Sequence, residues 1–193
     1  MNYKSLDEIA EIFTGLRISR YTDESNNGKN VKVFKGKLSD IHNKDPEIEK
    51  MVLSEDIDKK FYSQKQDILL QVVGSSKTIK IVEQEGIIMP MNFIIIRVHE
   101  EYNPVFVFHL LNSVSFINIL NRLSEGSSLQ FVRIPDLRQI KLQIPDKKTQ
   151  NEYGNLLELV DIKKNLEIKK IEISKQLETA IIMDKLGDKY VKL

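Results

Sequence analysis

The longest hydrophobic pattern of the chain occupies residues 149–186, a stretch that contains no proline. Apolar residues recur there at intervals of three, four and seven positions, the spacing of a heptad seam along one face of a helix. One irregular step of four residues, between Ile173 and Leu177, would unwind such a seam locally. The pattern predicts a dimerisation seam formed by Leu159, Ile162, Leu166, Ile173, Leu177 and Ala180.

A helix over this stretch would be roughly 55 Å long, because each residue adds about 1.5 Å. We expect most of it to project from a small domain and to bury its seam against another helix. No second helix of comparable length is indicated, so the simplest partner is a second copy of the chain or a helix of another protein. The alternative is a seam that folds back on its own domain. A second apolar line, formed by Ile168, Ile171 and Ile182, indicates that more than one face is covered.

The patterns before residue 146 are shorter and of both helical and strand type. Ser5 and Glu8 form a capping box. Apolar residues follow at helical spacing as far as Phe13, and Gly15 stands where such a helix should end. The polar and charged residues 40–51 indicate a surface insertion.

Alternating or continuous apolar runs predict β-strands in the rest of this region. A second helix is predicted from Pro104, a residue favoured in the first helical turn, to Gly126. The predicted strands cover residues 31–34, 68–73, 78–82, 93–98 and, as the last strand, 135–137 with 140–144.

These elements predict an α+β fold in two parts. Residues 1–145 would form a globular domain with a small twisted mixed β-sheet and flanking helices. Residues 146–193 would form a long C-terminal coiled-coil helix. No internal repeat is visible, so the chain carries one copy of each part.

Composition narrows the possible functions. The chain has 193 residues, of which 41% are hydrophobic and 30% charged, as expected of a protein with a real core. It has no cysteine, which excludes disulfides and thiolate metal sites and favours a cytoplasmic location. Its three histidines show no metal-ligand spacing, and no apolar run reaches the length of a membrane span. A net charge of +1 means that any nucleic-acid binding depends on a local patch.

No catalytic constellation is visible. The chain has no glycine-rich methyl-donor loop and no Asn-Pro-Pro-Tyr or Asp-Pro-Pro-Tyr tetrapeptide of an amino-methyltransferase. Asp136 with Glu167 and Lys169 can be forced into a nuclease pattern. However, Glu167 and Lys169 would point to nearly opposite sides of one helix. We therefore expect no catalytic residues, no metal and no cofactor.

The order of these signals resembles the DNA-specificity (S) subunit of type I restriction-modification systems, over nearly the whole chain. Residues 6–12 with Gly15 are similar to the opening of a target recognition domain, and residues 67–70 with Gly74 to its central strand and turn. The helix from Pro104 is similar to the late helix of that domain, and the loop after that helix corresponds to Gly126, Ser127, Ser128 and Gln130. Pro145 and Gln150 are similar to the start of the family's spacer helix. The sequence has Ile144-Pro145 and Thr149-Gln150 where the family commonly has Pro-Pro and Glu-Gln.

The resemblance implies a DNA-binding protein that reads bases through loops of its recognition domain. Arginine can hydrogen-bond to guanine with two donors, and Asn or Gln can do the same with adenine. The three loops that carry such residue types contain Arg17, Arg20, Tyr21, Ser75, Ser76, Lys77, Ser127, Ser128 and Gln130. For each residue alone a solvated surface role is an equal alternative, and Tyr21 could instead anchor its loop in the core.

The resemblance also implies partners. An S subunit has two recognition domains and two spacer helices, whereas this chain has one of each and resembles a half-size subunit. We expect it to bind double-stranded DNA, a DNA methyltransferase (M) subunit and, where one is present, a restriction (R) subunit. It would pair with itself as an antiparallel homodimer, or with a different half-subunit. The alternative function is a coiled-coil protein-interaction module without DNA specificity.

Overall fold

The computed structural model describes residues 2–21, 28–38, 41, 47–53, 57–71, 77–124 and 132–186. The chain divides into two compact units, Met1–Gly154 and Asn155–Leu193. The α+β class expected from the sequence is confirmed, with small sheets and a long C-terminal helix. The division into domains at residue 145 stays a prediction.

A four-stranded antiparallel sheet forms the centre of the first unit. Its strand order is β2-β8-β5-β6. The strands are β2 (Ala10–Thr14), β5 (Ile68–Gln71), β6 (Ile79–Ile81) and β8 (Phe93–Val98). The two central strands, β5 and β8, are buried on both faces, which explains their continuous apolar sequences.

Helices cover one face of this sheet. Ile68, Leu70, Ile94 and Ile96 point into a core that also contains residues of four short helices. These helices are α1 (Leu6–Ile9), α2 (Pro104–Leu111), α3 (Val114–Ser124) and α4 (Ile134–Arg138).

The other face of the sheet meets a second core, which includes Leu69, Phe93 and Ile95 from the sheet and Phe34 from outside it. Phe34 belongs to a mixed three-stranded sheet of order β4-β3-β7. In that sheet β3 (Lys29–Phe34) pairs antiparallel with β4 (Ile48–Leu53) and parallel with β7 (Ile87–Ile88).

A two-stranded antiparallel sheet joins the beginning of the unit to its end. It consists of β1 (Asn2–Ser5) and β9 (Lys141–Ile144), with Asn2 opposite Ile144 and Ser5 opposite Lys141. The last helix, α5 (Lys147–Leu186), begins three residues later and continues for 40 residues. The predicted long helix over residues 149–186 is thus confirmed.

The first predicted helix was wrong beyond Ile9. The capping box is present, with the Ser5 amide and hydroxyl donating to Glu8 Oε2 at 2.6 and 2.7 Å. Those hydrogen bonds lower the pKa of the Glu8 carboxyl. From Ala10 onward the chain forms β2, because that segment pairs residue by residue with β8. This long-range pairing overrides a helical spacing that continues to Phe13.

Three further expectations were wrong in part. Residues 48–51 lie in β4 and not in a surface insertion. The helix predicted from Pro104 to Gly126 breaks after Leu111, and α2 and α3 meet at 60°. Ser113 caps the start of α3, since its Oγ accepts a hydrogen bond from the Phe116 amide at 3.3 Å. Residues 135–137 form part of α4, so the last strand starts only at Lys141.

Candidate nucleic-acid interface

Two of the segments predicted to bind DNA adjoin the same end of the four-stranded sheet. Strand β8 is antiparallel to both β2 and β5, with Thr14 opposite Ile94 and Gln71 opposite Phe93. Thr14 and Gln71, the last residues of β2 and β5, therefore lie at one end of the sheet, which we call the reading edge. Because β8 lies between β2 and β5, these two residues are about 10 Å apart.

The first of these segments presents two arginines. The Gly15 amide donates to Phe93 O at 2.9 Å and the Leu16 amide to Met89 O at 2.8 Å, which fixes the segment beside the sheet. A Cβ on residue 15 would collide with the carbonyl oxygens of Met89 and Pro90, so glycine is required there. Beyond this fixed point Arg17 and Arg20 are exposed.

Tyr21 closes the same segment. It is half-buried and packs, with Ile18, against a third core formed by residues of β3, β4 and β7. This packing supports the alternative that Tyr21 anchors the loop, while a contact of Tyr21 with DNA stays a prediction.

The second segment is represented by Lys77, which directly precedes the residue that pairs with the end of β5. The Gln71 amide donates to Thr78 O at 3.0 Å, so Lys77 lies at the reading edge. Partial burial lowers the pKa of its ammonium group, and a phosphate beside it would oppose that effect. Ser75, Ser76, Ser127, Ser128 and Gln130 lie outside the described residues, and their DNA contacts stay predictions.

A pair of lysines that sequence reasoning missed lies on the three-stranded sheet. Lys32 of β3 stands directly opposite Lys50 of β4, and both are exposed. Like charges in that position repel each other, so the pair favours an anionic partner. Lys32 is also opposite Ile87, two residues before the Met89 carbonyl that holds the arginine segment. The alternation of polar and apolar residues in β3 predicts that Lys32 is exposed. That Lys50 lies opposite Lys32 follows only from the register of β3 with β4.

A buried ion pair lies toward the other end of the four-stranded sheet, where Ile68 at the start of β5 is opposite Ile96 of β8. The guanidinium of Arg97 donates to both carboxylate oxygens of Asp67 at 2.8 Å, and its Nη2 reaches the carbonyls of Lys60 and Tyr62 at 3.3 and 3.2 Å. The Asp67 side chain is 2% exposed. The hydrogen bonds to Asp67 raise the pKa of Arg97. The same guanidinium lies 5.4 Å from the ring centre of Phe13, near the end of β2.

The predicted dimerisation residues lie on α5 with their side chains exposed. Leu159, Leu166 and Ile173 follow one another at seven-residue steps and are each more than half exposed. Val160, Ile171 and Ile182, at eleven-residue steps, form another exposed line that we call the second stripe. Ile171 and Ile173 point about 160° apart, because each residue turns the helix by about 100°. Two separate apolar faces of α5 are therefore exposed in the part of the chain that the structure describes.

The described part of the chain shows no group of three or more His, Cys, Asp or Glu side chains that could hold a metal ion. Within the same residues, no single helix is long and apolar enough to cross a membrane, although the bent pair α2 and α3 reaches that length and composition together.

Comparisons with known proteins relate the chain to DNA-specificity proteins. A family model described as type I restriction modification DNA specificity domain matches residues 1–179. No significant match occurs among curated proteins.

Three solved structures share the fold. One is the S subunit of a type I restriction-modification system from M. genitalium, with 20% identity, a TM-score of 0.63, and coverage of 97% of this chain and 46% of that one. A second comes from a study of complex assembly and conformational transition of the type I R-M system, with 16% identity, a TM-score of 0.67, and coverage of 98% and 46%. The third is the HsdS subunit from Thermoanaerobacter tengcongensis, with 19% identity, a TM-score of 0.62, and coverage of 100% and 51%. The chain thus spans about half the length of these proteins.

Proposed function

Because the chain belongs to the family of type I restriction-modification DNA specificity proteins, we propose that it is a sequence-reading DNA subunit without catalytic activity of its own. The observation that carries this proposal is the reading edge, the end of the four-stranded sheet next to which exposed Arg17 and Arg20 follow β2 and half-buried Lys77 precedes the partner residue of Gln71. A DNA-reading subunit of this kind would work where chromosomal DNA lies, in the cytoplasm.

The residue types at the reading edge divide into two roles. The guanidinium groups of Arg17 and Arg20 would read guanine through its N7 and O6 acceptors in the major groove. Lys77 and the opposed pair Lys32 and Lys50 would contact phosphates, which position the protein but carry no sequence information. The two roles predict different effects of mutation.

Replacing both Arg17 and Arg20 by Ala is expected to relax sequence preference. Loss of a base-reading arginine costs about 1–3 kcal/mol on the preferred site and little on other sequences. The measurement is the Kd for the preferred duplex and for duplexes changed at single base pairs, with methylation mapping of the assembled enzyme.

The double variant Lys32→Gln with Lys50→Gln is the matched comparison. It should weaken all duplexes alike and reduce the slope of log Kd against log salt by about 2, because two phosphate contacts no longer release counterions. If the arginine variant leaves both affinity and specificity unchanged, the reading edge is not the DNA-contacting surface.

The single recognition domain would read one half of a bipartite target. Two copies of the chain would pair through the seams of antiparallel α5 helices, as a two-fold axis is the usual symmetry of identical chains. Identical half-sites would then be read in opposite orientation, so the target would be an interrupted palindrome. Pairing with a different half-subunit would give a target that is not a palindrome. The exposed seam on α5 supports the pairing.

The second stripe provides a surface for another subunit. We place the methyltransferase subunit on the second stripe and the adjoining part of the first unit, and a restriction subunit, where one exists, would join through that enzyme. The support for this assignment is that the second stripe faces away from the seam and is still exposed.

Ile171→Glu is expected to abolish co-purification of a type I methyltransferase subunit encoded beside this chain, because it buries a charge in an apolar contact. The light-scattering mass of the chain alone should not change. Asn165→Glu adds the same charge on a polar face of α5 and should leave the enzyme bound. Equal recovery of the methyltransferase with both variants would contradict the assignment of the second stripe.

The exposed apolar faces of α5 also suit the second candidate function, a coiled-coil interaction module that binds only proteins. DNA binding separates the two candidates. A specificity subunit binds one duplex sequence preferentially and loses affinity steeply with salt, whereas an interaction module shows no preference among duplexes.

A further inference from the structure

The beginning of α5 is held on the first unit by a buried glutamine. Gln150 is 2% exposed, and both ends of its amide are hydrogen-bonded. Its Oε1 accepts from the Asn103 amide at 2.9 Å, and its Nε2 donates to Pro145 O at 2.9 Å. A glutamate could not donate to Pro145, and a leucine would leave both backbone groups unpaired in a buried site.

Asn103 connects α2 with α5. Its Oδ1 accepts from the Phe106 amide at 2.9 Å and caps the start of α2. Its Nδ2 donates to Asn151 Oδ1 at 2.9 Å. The Asn103 side chain therefore caps the start of α2 and also holds the first turns of α5.

Gly154 allows this close approach. A Cβ on residue 154 would lie 2.7 Å from Asn103 Oδ1, closer than real Cβ contacts. Inside a helix, glycine lowers the stability by about 1 kcal/mol relative to alanine. The close contact with Asn103 explains why glycine nevertheless occupies position 154, one turn after Gln150. Lys147 adds a hydrogen bond from its Nζ to Glu100 O at 2.9 Å.

We propose that Asn103, Gln150, Asn151 and Gly154, together called the clamp, are positioning residues that set the number of base pairs between the two half-sites. The clamp fixes residues 147–154, the first two turns of α5, on the recognition domain. The seam farther along α5 holds the second copy. The clamp is thus the joint through which the spacing of two recognition domains is determined. This inference rests on the proposed DNA-reading function.

The dimensions make such a joint sensitive. A domain of about 150 residues is roughly 30–40 Å across. A pivot of about 10° at the clamp would move a distant surface point by about 5–7 Å, which is up to two base-pair steps of about 3.4 Å. A fixed gap therefore requires a joint whose buried side chain is hydrogen-bonded at both ends of its amide, as that of Gln150 is.

The test is a selection from random-sequence duplex DNA with the full chain, followed by sequencing. The unmodified protein should enrich two half-sites at one gap length. Gly154→Ala, which places a Cβ against Asn103, should enrich the same half-sites with the gap shifted or spread by about one to two base pairs, or with no fixed gap. Asn103→Ser keeps an oxygen to cap α2 but loses the donor to Asn151, and should have the same effect.

Asn155→Ala is the matched control, because it changes the next residue of α5, which is exposed. It should retain the gap of the unmodified protein. If Gly154→Ala or Asn103→Ser, folded and dimeric by melting and light scattering, enriches the single original gap, the clamp does not set the spacing. If the unmodified protein enriches no DNA sequence, the proposed DNA-reading function itself fails.

Discussion

Replacing Leu166 by Asp is expected to separate the proposed dimer into monomers and to weaken binding to the proposed bipartite target by about 100–10,000-fold. Leu166 is 62% exposed in the single chain and lies in the middle of the proposed seam. In a dimer an aspartate there would be buried without a partner. Each monomer would keep its recognition domain but lose the gain in affinity that comes from linking two binding events.

Light scattering and duplex binding at matched salt measure the two effects. Asn165→Asp introduces the same charge at the next residue, on a face of α5 that lies between the seam and the second stripe. It should leave both mass and affinity unchanged. The dimer would be refuted by a mass of one chain for the unmodified protein at micromolar concentration, or by a Leu166→Asp variant that stays dimeric.

Asp67→Ala is expected to lower the free energy of unfolding of the first unit by about 3–5 kcal/mol, the usual cost of breaking a buried ion pair. The change removes both carboxylate oxygens that accept from Arg97, and one of them, Oδ2, also accepts from the Gln64 amide at 2.8 Å. Because domains are stable by only about 5–15 kcal/mol, this is a large fraction of the total. Chemical denaturation gives the value from the shift in midpoint at constant slope.

A surface ion pair supplies the control. Lys35 and Glu49 are 3.2 Å apart with both side chains well exposed, so Glu49→Ala should cost less than about 1 kcal/mol. Replacing Asp67 by Leu together with Arg97 by Met should restore much of the loss, since no unpaired charge remains buried. If Asp67→Ala lowers the free energy of unfolding as little as Glu49→Ala does, the pair of Asp67 and Arg97 does not stabilise the first unit.

The elements predicted well from the sequence are those whose own residues decide their structure. Strand β8 was predicted to the residue because it is buried on both faces, and α5 to within two residues because apolar residues recur along it at helical spacing and no proline breaks it. The errors concern segments whose structure is decided by distant residues. Ala10 to Thr14 become a strand by pairing with residues of β8 that lie 80 to 88 positions later in the chain.

The candidate site was predictable only in part for the same reason. Exposed arginines in a polar loop are visible in a sequence, and Arg17 and Arg20 were identified in this way. The opposition of Lys32 and Lys50 depends on strand register, and the contacts of Asn103 with Gln150 and Asn151 join residues 47 and 48 positions apart. No local pattern marks such pairs, since each partner alone resembles an ordinary surface residue.

The pairing of β1 with β9 would make the proposed recognition domain transplantable. Asn2 lies opposite Ile144, so the polypeptide comes into the domain and passes out of it about one strand spacing apart. A gene segment that encodes these residues could be exchanged for another of the same design, or duplicated in tandem, with little change in the path of the flanking chain. New DNA specificities could thus arise by recombination of whole domains, without redesign of the helix that joins them.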